Sequence, residues 1–149
     1  MYNVAELDAV VEFGEIPKPN AGAPAPVVLA NESSVVLSYR LAISDFAFVR
    51  FSASRMHLLG LPNDEALHGH PLWGRGLEFY SGYRAKDSSL IRRLERANSA
   101  HQFHQSTSFD ALDHYIVTFH DSTFECVAKS ATSSRIFLAR NISPACHTT

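Results

Sequence analysis

The amino-acid sequence predicts an α+β domain with a mainly antiparallel β-sheet, one principal helix at about residues 87–98 and a second short helix. Two observations support this class. Apolar and β-branched runs fill residues 27–53 and return near the end of the chain, and a stretch with helical periodicity separates them. Strands grouped before and after the helices are typical of α+β rather than alternating βαβ folds. With 149 residues, 46% of them apolar, the chain is long enough for one domain with a proper core.

The strand predictions rest on runs of apolar, β-branched or aromatic residues bounded by turn signals. "VVLA" begins at Val27, "SVVLSYRLAI" at Ser34 and "FAFVRFSA" at Phe46. Asn31-Glu32 and Ser44-Asp45 are the expected turns between them. Three further candidates follow the helical region, namely "HYIVTFH" (114–120), "TFECVA" (123–128) and "RIFLA" (135–139).

The principal helix is expected to begin at Asp87, a favourable N-cap, and to end near Asn98. Its apolar residues recur at helical spacing and form an inner stripe, while the arginines Arg92, Arg93 and Arg96 face solvent. Ser106 or Thr107 is expected to cap the shorter helix. Residues 60–86, rich in glycine, proline and asparagine, are predicted to form a long irregular connection.

The N-terminal part of the chain divides from the rest at a proline-rich segment. Residues 17–26, "PKPNAGAPAP", hold four prolines and indicate an extended linker or arm. The expected organisation is therefore an arm over residues 1–26 and one α+β domain over residues 27–149. Residues 1–16 are too short to fold alone. They dock either on the chain's own body or, by our hypothesis, on a neighbouring subunit of a homo-oligomer.

Charge and composition argue against some classes of binding partner and indicate a cellular compartment. The formal net charge is −2 and the pI about 6.4, which argues against nucleic-acid and anionic membrane partners. No apolar run approaches the ~20 residues of a membrane span, and the N-terminus lacks a basic signal-peptide region. The two cysteines, Cys126 and Cys146, do not form a disulfide framework. These observations predict a cytoplasmic protein.

One histidine-rich loop, "LHGHPLWGRGLEFY" at residues 67–80, stands out among the eight histidines. Its glycines permit backbone shapes closed to other residues, and Pro71 holds His70 extended. Trp73 requires burial and a partner for its N–H. Such a loop is ordered rather than floppy. It either closes the open end of a sheet, which we favour, or contacts a ligand.

A second informative segment is "HYIVTFHDSTFECVA", residues 114–128. If Asp121-Ser122 makes a two-residue turn, Phe119 faces Phe124 and the apolar side chains share one face. A bulge within one longer strand is the alternative geometry. Either geometry gathers the polar side chains on the opposite face, namely His114, Thr118, His120, Thr123 and Glu125.

The segments "PNDEALHGHPLWGRGLEFY" (62–80) and "FHDSTFECVA" (119–128) resemble a family of small, uncharacterised bacterial proteins. The resemblance covers roughly residues 27–128. It implies a bacterial cytoplasmic origin, and it implies no activity, cofactor or catalytic residue.

The absence of any complete catalytic motif favours a non-catalytic accessory or small-ligand-binding domain. The exposed aromatics expected at Trp73, Phe79, Tyr80 and Tyr83 indicate association surfaces. The candidate ligand-binding residues are His68, His70, Trp73, Arg75, Thr118, His120 and Glu125. The alternative is a metal-dependent, hydrolase-like enzyme, because imidazole and carboxylate groups suit Zn or Fe. Its metal ligands would be His68, His70, His120 and Glu125.

Overall fold

The structure is a computed structural model that describes residues 2–5 and 8–138. Two antiparallel sheets pack face to face, and the helices lie against the other side of the larger sheet, so the predicted α+β class is confirmed. The strands are β1 (Val11–Glu12), β2 (Val27–Ala30), β3 (Ser34–Ala42), β4 (Asp45–Ser52), β5 (Met56–Gly60), β6 (Gly82–Lys86), β7 (Asp113–Thr118), β8 (Thr123–Ala128) and β9 (Ser130–Phe137). The helices are α1 (Ser89–Asn98), α2 (Thr107–Asp110) and a 3₁₀ helix (Asp64–Gly69).

The main core lies between the two sheets. The larger sheet has the strand order β1-β6-β7-β8-β5 and the smaller one β2-β3-β4-β9. Strand alternation sends one set of side chains from each sheet into this core, where Phe51 of β4 packs against Tyr115 of β7 and Phe124 of β8. Cys126 is buried in the same cluster, as expected from its strand pattern, whereas Cys146 lies outside the described residues.

The β7–β8 hairpin keeps the predicted faces but not the predicted turn. Thr118 pairs with Thr123, so four residues connect the strands, and the N–H of Phe119 donates to the carbonyl of Ser122 (2.9 Å). Asp-Ser lacks the preference for positive φ that a two-residue turn requires, which explains the longer connection. Because the register shifts by two residues, every side chain stays on its predicted face.

The prediction of an irregular connection over residues 60–86 was wrong at its end, because residues 82–86 form β6 between β1 and β7. The glycine that suggested a loop has a packing role here. A Cβ at Gly82 would lie 2.4 Å from Cγ2 of Ile16, a side chain of the main core. Residues 56–59, to which no element was assigned from sequence, belong to the edge strand β5.

Helix α1 begins one residue later than predicted. Asp87 has a φ of +50°, and the N-cap is Ser88, whose Oγ accepts the N–H of Ile91 (3.3 Å). Leu90 and Ile91 are buried against the larger sheet. Phe109 of the short helix α2 is buried in the same apolar cluster as Leu90 and Ile91. None of the helices in the described ranges has the length and apolarity needed to cross a membrane.

The described N-terminal residues pack on the chain's own body, one of the two placements that the sequence left open. Val10 is buried beside the loop that joins β5 to β6, residues 61–81. Its N–H donates to the carbonyl of Arg75 (2.9 Å). Ile16 is buried in the main core. The proline-rich segment runs beside β3, where the N–H of Arg40 donates to the carbonyl of Pro24 (2.7 Å).

The expected aromatic association surface is only partly exposed. Tyr83 is buried in a second apolar cluster, on the helix side of the larger sheet, which includes Leu67, Leu72 and Ile116. Its hydroxyl accepts the N–H of Glu78 (3.0 Å). Trp73 is half-buried at the edge of that cluster, and Phe79 is exposed. Tyr83 therefore contributes to packing rather than to a surface.

Candidate functional site

A buried hydrogen-bonded network surrounds the carboxylate of Glu125. Its Oε1 accepts the hydroxyl of Tyr2 (2.5 Å) and Nε2–H of His114 (2.9 Å). Its Oε2 lies 3.2 Å from Nε2 of His70. The side chains of both histidines are completely buried and that of Glu125 is 6% exposed. The network is closed to solvent, so it is a structural element of this conformation rather than an open binding site.

Four separate parts of the chain meet at this network. His114 of β7 and Glu125 of β8 share a face because they occupy alternating positions on paired strands. His70 follows the 3₁₀ helix, and Tyr2 comes from the N-terminal segment. Ser88, the N-cap of α1, lies 3.1 Å from Nδ1 of His114. One carboxylate thus links the N-terminus, the loop, the sheet and the helix.

The hydrogen bonds of His70 determine which ring nitrogen carries its proton. The backbone N–H of Leu72 donates to Nδ1 of His70 (3.0 Å), so Nδ1 presents a lone pair and the proton resides on Nε2. The Nε2–H of His70 lies close to Oε2 of Glu125, but it does not have the alignment of a full hydrogen bond. A protonated Nε2 has no lone pair for a metal ion. As folded, His70 therefore does not fit the role of metal ligand.

Burial and hydrogen bonding have opposite effects on the pKa of Glu125. Burial alone raises the pKa of a carboxyl group, because it disfavours the charged form. The hydrogen bond from His114, the nearby Nε2–H of His70 and the electrostatic attraction of both groups together outweigh burial and hold the pKa of Glu125 below its ordinary value. Burial, and then the charge of Glu125, raises the pKa of Tyr2. Glu125 is therefore the ionised acceptor of the network and Tyr2 a neutral donor.

The structure brings together only two of the four predicted metal ligands, His70 and Glu125. His68 is exposed, and His120 is bonded to Asp64 instead. Within the described ranges, no three His, Cys, Asp or Glu side chains are arranged to hold a metal ion.

Two other candidate residues hold the loop in place. Thr118 Oγ1 donates to the carbonyl of Glu78 (2.9 Å) and accepts the N–H of Ser81 (3.2 Å). The guanidinium of Arg75 donates to the carbonyls of Ala5 (2.5 Å) and Asp8 (3.2 Å). These contacts fix the C-terminal half of the loop to β7 and to the N-terminal segment that crosses it.

An open site lies at the start of the 3₁₀ helix. Oδ2 of Asp64 accepts the hydroxyl of Tyr80 (2.5 Å) and Nδ1 of His120 (2.7 Å). The side chain of Asp64 is 14% exposed, whereas that of His120 is 46% exposed. The hydrogen bond from Tyr80, followed by that from His120, lowers the pKa of Asp64, and the same carboxylate raises the pKa of Tyr80. Asp64 is thus a fixed anion that orients two side chains.

The bond to Asp64 sets the chemistry of His120. A carboxylate can only accept, so Nδ1 of His120 carries the proton and, in the neutral ring, Nε2 presents a lone pair. This nitrogen lies 3.8 Å from the exposed carboxylate of Asp121. The arrangement can bind a hydrogen-bond donor or accept a proton.

A surface pocket of about 230 Å³ adjoins this dyad and is lined by Asp64, Glu65, Phe79 and Tyr80. Phe79 is 44% exposed and packs against Trp73 with ring centroids 5.5 Å apart. Tyr80 has a φ of +51°, a strained conformation for a bulky side chain. Such strain costs of order 1–3 kcal/mol and concentrates at functional sites. Here it accompanies the placement of the Tyr80 hydroxyl on Asp64.

Sequence reasoning missed four residues of these sites. His114 lay on the predicted polar face beside Glu125 and could have been chosen by strand alternation. Asp64 follows Asn63, whose side chain accepts the N–H of Ala66 as a helix cap (3.1 Å), and that capping pattern was a readable signal. Tyr2 and Tyr80 reach their partners across 123 and 16 residues of chain, and no local pattern predicts either contact.

Comparison with known protein families, with curated proteins and with solved structures finds no match for this chain. The resemblance to a family of small bacterial proteins therefore stays a prediction.

Proposed function

We propose that the protein is a small-ligand-binding domain whose ligand occupies the pocket beside the Asp64–His120 pair. The observation that carries the proposal is the conjunction of an oriented, half-exposed histidine with an aromatic pocket wall. The buried Glu125 network, by contrast, offers no room. The pocket volume of about 230 Å³ is below the ~300–1,000 Å³ of drug-sized ligand sites, so the ligand is small.

The groups around the pocket specify a cationic ligand. Glu65 and Asp64 line the pocket and supply negative charge. Beside it, His120 is bonded to Asp64, and the neutral form of its ring has an acceptor at Nε2. The faces of Phe79 and Tyr80 carry the negative part of the aromatic quadrupole, which attracts cations. Among the residues that the structure describes, no arginine or lysine lines this pocket. A small organic amine with a flat apolar part satisfies all of these features.

Calorimetric titration with 2-phenylethylamine tests the proposal, with 2-phenylethanol as the neutral analogue and 3-phenylpropionate as the anionic one. We expect saturable binding of the amine and weaker binding of the other two. Glu65→Gln and Phe79→Ala should each weaken amine binding about twofold to fivefold, the range of exposed ion-pair and cation–π contacts. Both residues are exposed, so both variants should fold.

Glu15→Gln is the matched control, because Glu15 is also exposed but does not line the pocket. It should bind the amine as the native protein does. Equal binding of the three probes, or equal losses in Glu65→Gln and Glu15→Gln, would contradict the proposal.

We also propose a cytoplasmic location, on the sequence grounds given above, and self-association into a homo-oligomer. Three exposed apolar side chains on the outer face of the smaller sheet support association, namely Val27 (62% exposed), Leu29 (75%) and Ile136 (47%). Light scattering is expected to give a mass above that of one chain, and this mass should fall in Leu29→Lys. A monomeric native protein would refute association.

A further inference from the structure

A second cleft lies between the N-terminal segment and helix α1, on the outer side of the Glu125 network. Its volume is about 380 Å³, and it is lined by Tyr2, Asn3, Ser89, Arg93 and Arg96. Tyr2 contacts the buried network through its hydroxyl and also packs in the apolar cluster beneath α1. The cleft therefore has an ordered floor.

The two arginines of this cleft have charges that the described residues do not compensate. Arg92, their neighbour, is ion-paired with Asp87, Glu95 and Asp110. For Arg93 and Arg96, the described parts of the chain contain no carboxylate at ion-pair distance. The two residues are three positions apart on a helix and so lie on one face, where like charges repel each other. A bound anion would relieve this repulsion.

Among the described residues, each polar side chain that lines the cleft can donate a hydrogen bond. The guanidinium groups donate only, and the amide of Asn3 has an NH₂ group. Oγ of Ser89 accepts the N–H of Ala5 (2.9 Å), which leaves its own proton to donate. Asp8 accepts the backbone N–H groups of Ala5 (3.3 Å) and Ser89 (3.2 Å), and it does not line the cleft.

From the two arginines without an ion-pair partner in the described parts of the chain, set in one cleft with donors on Asn3 and Ser89, we infer that the cleft is a binding site for a phosphate monoester, held by Arg93 and Arg96. Guanidinium groups bind phosphate oxygens in bidentate fashion, and two of them match the charge of a dianion better than that of a carboxylate. The ring of Tyr2 provides a surface for the organic part of the ligand. This site is separate from the Asp64 pocket, and neither inference depends on the other.

Titration with phenyl phosphate, followed by calorimetry at constant ionic strength, tests the inference. The native protein should bind it saturably. Arg93→Gln and Arg96→Gln should each weaken binding at least about tenfold, the value of a charge-assisted hydrogen bond. Benzoate should bind at least about tenfold more weakly than phenyl phosphate, and inorganic phosphate should bind at the same arginines without the contribution of the ring.

Arg50→Gln is the matched control, because Arg50 is an exposed arginine on the smaller sheet. It should bind phenyl phosphate within twofold of the native protein. Benzoate binding as tight as phenyl phosphate binding would overturn the phosphate assignment. Equal losses in all three arginine variants, or no saturable binding by the native protein, would overturn the site itself.

Discussion

Replacement of Glu125 by alanine is expected to lower the free energy of unfolding by about 3–5 kcal/mol, the cost of breaking a buried ionic network. The substitution leaves the donors of Tyr2, His114 and His70 without their acceptor in a site closed to water. Urea denaturation measures the effect. Glu32→Ala, at an exposed turn position, is the control and should change stability by less than about 0.5 kcal/mol.

The effect of Glu125→Ala should also depend on pH, with a sign fixed by the lowered pKa. Native Glu125 ionises more readily than it does in the unfolded chain, whose ordinary pKa is 4.5. Its stabilising contribution is therefore complete above that value and is lost as pH falls toward the folded pKa. The stability difference between native protein and variant should be constant near neutral pH and should shrink below about pH 4.5. A difference that grows in acid would refute the ionised network.

Alanine at position 76 should destabilise the protein by about 2–4 kcal/mol, through backbone strain and overpacking together. Gly76 has a φ of +104°, which side chains rarely adopt. A Cβ there would lie 2.2 Å from the carbonyl oxygen of Val10, so the N-terminal segment would have to move off the loop. We expect faster proteolysis of residues 8–16 in Gly76→Ala, beside the lower stability in urea.

Gly69→Ala is the control for this substitution. Gly69 lies in the same loop region, has an ordinary φ, and a Cβ there would meet no atom within 4 Å. Its stability should stay within about 0.5 kcal/mol of the native value. Equal effects at positions 69 and 76 would mean that the N-terminal segment does not rest on this loop.

The strands with strong apolar periodicity were predictable from sequence, and those set by tertiary contacts were not. β3 and β4 are rich in β-branched and aromatic residues, several of them at alternating positions, so the apolar pattern identifies them. β6 reads "GYRAK", in which a glycine and two charged residues mask a central strand. Its glycine is explained only by the approach of Ile16, a contact between distant parts of the chain.

The two sites likewise combine features that the sequence predicts with features that only tertiary contacts determine. Alternation along β7 and β8 predicted a polar face that includes Glu125, and the loop at His70 does reach it. The partner of His120 was not predictable, because Asp64 lies 56 residues away in sequence. The choice between metal ligand and hydrogen-bond donor for His70 depends on one backbone N–H, that of Leu72. Sequence spacing carries no information about such a bond.

Side-chain ¹⁵N NMR of the histidines distinguishes a closed Glu125 network from the pocket beside the Asp64–His120 pair, which we propose binds a small cation. The signals are assigned with His70→Asn and His120→Asn variants. His70 should show the Nε2–H tautomer, and titration with 2-phenylethylamine should shift His120 saturably and leave His70 and His114 unmoved. Shifts at His70 or His114 with none at His120 would mean that the amine enters the Glu125 network and not the pocket beside Asp64.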